Sequence, residues 1–435
     1  MEGMRKLALL LFVLVLGVVG AYIAAGFMPA PSVVITTHGT FAGASIPFEI
    51  QSSKAGDAFA YTIYFEQNGA RTLVGSGETS APVSAVISAA QNPGLKVAAG
   101  PARILVVSTR KVWKIRTLES SVFADLTVRL EKPKVSVVST KHYINLGGSE
   151  MIVYRATPSD VESGVRVGDI EYPGYATTGD LHVAFFALRY DQDVNTPMKL
   201  YARDASGEIA TSDFDRMTFA KKPFKKSTIP LDDKFLDRVV PAILAGTTEV
   251  APAGSTIEKF VVINSELRKK NTETIRAMAA KTAKTMLWTE VFYPFTNTKA
   301  EASFADFRTY VYQGKEVDKQ VHLGFDLASF ANASVVAANT GTVLFAQELG
   351  IYGNCVIIDH GMGVQSLYGH LSAFAVKVGD RVEKGREIGK SGITGLAGGD
   401  HLHFTMLVNG QMVNPIEWWD AHWIADRITR KLNEK

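Results

Sequence analysis

Residues 7–28 carry no charged side chain and consist mostly of Leu, Val, Ala and Phe. About 20 apolar residues are what a helix needs to cross the hydrocarbon core of a bilayer. Arg5 and Lys6 stand immediately before the run. A cationic flank of this kind stays on the cytoplasmic side, which places everything after Met28 outside. A cleaved signal peptide would have a shorter apolar region and a clear small-x-small site. Ala24-Ala25-Gly26 fits that pattern only loosely, so residues 1–30 read as a cytoplasmic tip and an uncleaved transmembrane anchor.

At 435 residues the chain is long enough for about three domains. Hydrophobic residues make up 46% and charged residues 20%, which allows sizeable cores and excludes a disordered chain. The net charge of +3 is too even to argue for a nucleic-acid partner. A single cysteine, Cys355, rules out an internal disulfide and a cysteine-based zinc site, which uses several thiolates. It lies in the apolar run Asn354-Cys355-Val356-Ile357-Ile358 and reads as a buried small hydrophobe.

After the anchor the pattern is mainly β. Residues 31–132 alternate in short strands such as 32–36, 60–65 and 102–107, separated by Gly, Ser and Asn clusters, which suggests a β-sandwich-like module. Residues 133–226 repeat the pattern as a second β-sandwich-like module. The basic, proline-interrupted stretch 221–226 reads as a solvated linker. The period then changes. Ser255 can cap a helix bearing Ile257, Phe260, Val261 and Leu267 on one stripe, and Glu258 completes a capping box. Residues 227–294 therefore read as a helical insert. From 295 to 435 glycine-punctuated strands return, as in the stretch 376–389, and suit a tightly turned antiparallel sheet.

That last segment holds the chemistry. His322 and Asp326 are four residues apart, and His401 and His403 two apart. In an extended strand both spacings return side chains to one face, so each pair can project into a common groove. His370 stands between them, in Tyr368-Gly369-His370-Leu371-Ser372. A catalytic zinc site takes three nitrogen or oxygen ligands from the protein and keeps a position for water. His360 reads as structural, in a turn between strands, and His422 as a packing residue. His38, His142 and His182 have no partner at ligand spacing. Arg308, Tyr310 and Tyr312 precede the first pair at strand spacing and could line the groove.

The set His322-x-x-x-Asp326, Tyr368-Gly369-His370-Leu371-Ser372 and His401-Leu402-His403-Phe404 resembles the LytM/lysostaphin family of peptidoglycan zinc endopeptidases. Ala337-Ala338-x-x-Gly341-x-Val343, Tyr352-Gly353-Asn354, Ile358-Asp359-His360-Gly361 and Asn414-Pro415 extend the likeness over residues 321–418. The resemblance implies that His322, Asp326 and His403 ligate Zn2+ and that His370 and His401 form a catalytic pair outside the ligand set. It implies hydrolysis of peptide cross-links in peptidoglycan by zinc-activated water, whose pKa the metal lowers from about 15.7 to about 7. It also implies an inner-membrane protein with its catalytic part in the periplasm. The competing reading is an inactive relative that activates a separate wall amidase. Such proteins lose zinc ligands, whereas all three stand here. The two β modules could be a spacer, a docking surface or a lid.

Overall fold

The computed structural model describes residues 2–434 except 38, 55, 221–222, 293–294 and 296–297. The expectations placed on His38, Lys221 and Lys222 thus lie outside the described residues. The chain is mainly β and divides into two units, 1–133 with 203–209, and 134–202 with 210–435.

The first unit begins with the helix Glu2–Gly26. Its stretch Gly3–Gly26 includes an exposed 18-residue window with a mean hydropathy of 2.8, so it is long and apolar enough to cross a membrane or to serve as a signal sequence. Beyond it, the strands Val33–Thr37, Ile46–Ser52 and Val83–Ile87 form one sheet. A larger antiparallel sheet is built around Phe59–Gln67, Gly100–Val112 and Arg116–Val128. Alternate residues of the two sheets, among them Phe48, Ile50, Phe65, Ile104 and Val106, close one core.

The second unit is organised around an antiparallel sheet, eight-stranded among the described residues. Its inner order runs Phe325–Ala328, Leu402–Val408, Val364–Leu371, Asn354–Gly361 and Gly341–Glu348. Antiparallel sheets commonly leave one face to water, and their strands then alternate apolar with polar. Here Val364–Leu371 and Leu402–Val408 are buried at every residue. Both faces are covered. Phe345, Ile357, Leu367 and Leu407 pack on one side with Leu236, Val240, Phe260 and Ile263 of the helical segment. Val356, Tyr368, Met406 and Val408 share the core on the other with Phe185, Trp288 and Trp418.

Cys355 is fully buried in that sheet, and burial pushes its thiol up. The helical segment begins where Asp232 accepts the Phe235 N–H (2.7 Å) and starts the helix Asp233–Gly246. Ser255 opens the helix Thr256–Val262, with its N–H donating to the Glu258 carboxylate at 2.7 Å. Lys226, read from sequence as the end of a linker, instead starts the strand Lys226–Leu231, which runs parallel to Asp306–Tyr312. Asp306–Tyr312 in turn pairs with Lys315–His322 in a small separate sheet.

Candidate metal centre

His322 ends the strand Lys315–His322, and Asp326 lies in the next strand, Phe325–Ala328, of a different sheet. The pair therefore does not share a strand face, as the spacing suggested. The chain turns at Leu323-Gly324, and the turn brings the two side chains together. Gly324 fits there because a Cβ would stand 2.5 Å from the His403 ring. Asp326 is directly opposite His403 across the sheet, and Gly369 opposite His403 on its other side. Register thus delivers Asp326, His403 and the neighbouring His370 to one end of three adjacent strands.

The donors converge closely. His322 Nε2 is 2.9 Å from Asp326 Oδ1 and 3.0 Å from His403 Nδ1, and His403 Nδ1 is 3.0 Å from Asp326 Oδ1. All three residues are buried. Their outer atoms are occupied. His322 Nδ1 donates to the Ser303 carbonyl at 3.1 Å. The Thr405 hydroxyl donates to Leu323 O (2.7 Å), so at 3.1 Å it accepts from His403 Nε2–H. Arg308 Nη2 donates to the outer oxygen of Asp326 at 3.1 Å. Each group is held by the atom facing away from the centre, which leaves one nitrogen or oxygen lone pair per residue aimed inward.

Three inward lone pairs about 3 Å apart repel one another unless a cation sits among them. Ligand atoms around a tetrahedral zinc lie roughly 3.3 Å apart for bonds of about 2.0 Å. The donor set and its spacing fit such an ion. Burial opposes ionisation of Asp326, but the surrounding imidazoles, His322 foremost with His401 and His403, outweigh it and hold the carboxyl well below 3.8. Burial pushes His403 down to about 4. Both shifts favour the deprotonated forms that bind metal.

His370 and His401 stand beside the triad, their rings 4.8 Å apart. His370 Nδ1 donates to Thr394 O and His401 Nδ1 to Gly399 O, each at 2.8 Å. Both Nε2 atoms are left for the centre, and His401 Nε2 lies 3.4 Å from Asp326 Oδ1. Burial, with His401 and His403 nearby, pushes His370 well below 6.5. Burial also acts against a charge on His401, yet the hydrogen bond to Asp326 prevails and raises it. His370 adopts φ +63°, a left-handed conformation that costs a non-glycine residue about 1–2 kcal/mol.

A cavity of about 110 Å³ is lined by these five residues. It shares Arg308, Tyr310, Asp326 and His401 with a groove of about 630 Å³, whose wall includes Phe235 and Phe260 of the helical segment. Tyr312 does not line either. Its hydroxyl donates to Asp233 instead.

The remaining histidines are elsewhere. His360 lies within the strand Asn354–Gly361 rather than in a turn, bonded to Thr340 O and the Ser366 hydroxyl. His422 is exposed. His142 is buried against Ser139 and Asp215 O. Sequence reasoning missed Thr405, Ser303, Thr394 and Gly399. Of these only Thr405 acts through a side chain, and a threonine two residues after a histidine on a strand was the available signal.

The profile described as "Peptidase family M23" matches residues 320–415, the stretch that carries all five side chains. Residues 320–415 are an M23 peptidase domain.

Curated relatives match about 22% of the chain. The DD-carboxypeptidase/endopeptidase Mpg of Neisseria meningitidis is 43% identical over 97 residues, covering 22% of each chain. The peptidoglycan DD-endopeptidase ShyA of Vibrio cholerae is 38% identical over 96 residues, again 22% of each. The murein hydrolase activator EnvC of Escherichia coli is 36% identical over 95 residues, 22% of this chain and 23% of that one. The chain thus spans under a quarter of the length of these relatives.

Proposed function

We propose that this protein is a zinc-dependent endopeptidase that hydrolyses peptide cross-links in bacterial peptidoglycan, anchored in the inner membrane by its N-terminal helix with the M23 domain in the periplasm. The observation that carries the reading is the complete donor set. His322, Asp326 and His403 each aim one lone pair inward, and two further imidazoles present Nε2 to the same point. A Zn2+ ion held by His322, Asp326 and His403 supplies Lewis acidity toward a scissile carbonyl and brings water near ionisation at neutral pH.

The chain's own residues do the rest. His370 and His401, each fixed through Nδ1, can accept a proton at Nε2 and return it to the leaving amine. Arg308 keeps Asp326 from rotating and so keeps one carboxylate oxygen toward the ion. The groove beside His401 and Asp326 offers Phe235, Phe260 and Leu396 to apolar parts of a peptide, and Arg308 and Asp400 to its polar parts. Two relatives named DD-endopeptidases support a cross-link between D-Ala and diaminopimelate as the bond cut.

The identity to EnvC favours one second reading, an inactive domain that activates a wall amidase. Both readings are separated by mass analysis of wall fragments after incubation with the protein, with zinc or with a chelator. Cross-linked dimers falling to monomers only in the zinc sample support hydrolysis. Unchanged fragments with zinc-loaded protein, together with faster sugar–peptide cleavage once an amidase is added, would establish the activator instead.

A further inference from the structure

Both auxiliary imidazoles are oriented by one loop. His370 Nδ1 ends on Thr394 O and His401 Nδ1 on Gly399 O. The loop, 391–400, contains Gly392, Gly395, Gly398 and Gly399. Glycine leaves a backbone more conformations to lose than any other residue, so such a loop does not hold its shape by itself. Gly395 is required, since at φ +67° its Cβ would stand 2.4 Å from Gly353 N. Around Gly398 and Gly399, by contrast, there is open space.

Part of the restraint comes from the M23 domain. Leu396 N–H donates to Ile351 O at 2.9 Å, and Ser391 Oγ donates to Asp400 at 2.6 Å. Thr394 Oγ1 also donates to Leu371 O at 2.9 Å and accepts from Asn354 N at 3.0 Å, and a further restraint comes from outside the matched stretch. Arg238, on the helix Asp233–Gly246, donates through Nη2 to Ala397 O at 2.6 Å and through Nη1 to Ile393 O at 3.3 Å. Those carbonyls flank Thr394 on one side and approach Gly399 on the other. The helix is itself anchored by Leu236, Val239, Val240 and Ile243, all buried. A guanidinium forms a rigid two-pronged donor and can fix two carbonyls at once.

We propose that Arg238 is a positioning residue for the proton-transfer pair, fixing the 391–400 loop so that the Thr394 and Gly399 carbonyls hold His370 and His401 with Nε2 facing the metal centre. The proposal rests on the reading of those histidines as the pair that moves protons. It separates proton transfer from metal binding, because none of the outer holds on the triad lies in this loop. Ser303, Thr405 and Arg308 provide them.

The test uses the full chain loaded with zinc, selectively labelled with 15N-histidine, as wild type, Arg238→Gln and Arg238→Lys. In Arg238→Gln the His370 and His401 imidazole signals are expected to shift toward mixed tautomers, and amide exchange in 391–400 to accelerate. Zinc affinity stays at the wild-type value. On peptidoglycan, kcat falls roughly tenfold with KM nearly constant, a fraction of the 10²–10⁴ that general acid–base catalysis supplies. Arg238→Lys, which reaches one carbonyl, recovers part of each effect and serves as the test should the glutamine variant not fold. Wild-type tautomers and exchange in both variants would overturn the proposal. A wild-type protein that cuts nothing, with variants that still scramble the tautomers, would sink the hydrolase reading and leave Arg238's role standing.

Discussion

Thr405 decides which nitrogen of His403 faces the carboxylate. Its hydroxyl proton is committed to Leu323 O, so it can only accept from Nε2–H, and the lone pair of Nδ1 is left facing the centre. Outer partners of this kind are worth 10–100-fold in metal affinity. Thr405→Val keeps the shape and removes the acceptor. We expect its zinc affinity, measured by competition with a chelating dye, to fall about 10–100-fold, with Thr405→Ser close to wild type. The five central side chains were legible in the sequence because their chemistry is carried by residue type. Their holds at Ser303, Thr394 and Gly399 were not, because any residue can supply a carbonyl and only the folded chain says which one arrives.

Local signals at the element scale were read well where the interaction is itself local. Ser255 and Glu258 are three residues apart and meet within one turn. Spacing alone misled for His322 and Asp326, which meet through a turn between two sheets rather than along one strand. The parallel pairing of Lys226–Leu231 with Asp306–Tyr312 has no sequence signature, since nothing in either strand names its partner.

The short helix Pro415–Trp418 shows a further contact hidden from sequence. Glu417 accepts from Asn145 Nδ2 at 2.7 Å and Ser149 N at 2.8 Å, and Trp418 Nε1 donates to Ser149 Oγ at 3.1 Å. Burial raises the Glu417 carboxyl from 4.5 to about 7, despite the hydrogen bonds that oppose the shift. The folded protein therefore keeps a proton that the unfolded chain releases near 4.5. Stability falls as pH rises from about 4.5 to about 7, by roughly 3 kcal/mol at 1.36 kcal/mol per unit, and levels off above. Glu417→Gln should flatten this slope, as read from thermal unfolding midpoints at pH 5 and pH 7.5. An unchanged slope would exclude Glu417 as its source.

At the scale of the whole molecule, the M23 stretch shares one of its cores with helices that lie outside it. Leu236, Val239, Val240, Ile243, Phe260, Ile263, Leu267 and Ile275 lie outside residues 320–415, and all are buried against Phe345, Ile357, Leu367 and Leu407 inside it. Each such side chain contributes roughly 1.5–3 kcal/mol on burial. A protein cut to begin at Phe295 also loses Lys226–Leu231, the parallel partner of Asp306–Tyr312. It should therefore bind a hydrophobic dye and lack a cooperative thermal transition. Loss of activity in such a truncation would report unfolding, and could not be taken as evidence about a lid. A protein beginning at Lys134 keeps the helical segment, both covered faces of the central sheet and the Glu417 contacts. We expect it to melt cooperatively near the temperature of the full chain and to bind one zinc. A cooperative, dye-free 295–435 fragment would show that the central sheet stands without its helical cover, and would remove the structural basis for coupling Arg238 to the histidine pair.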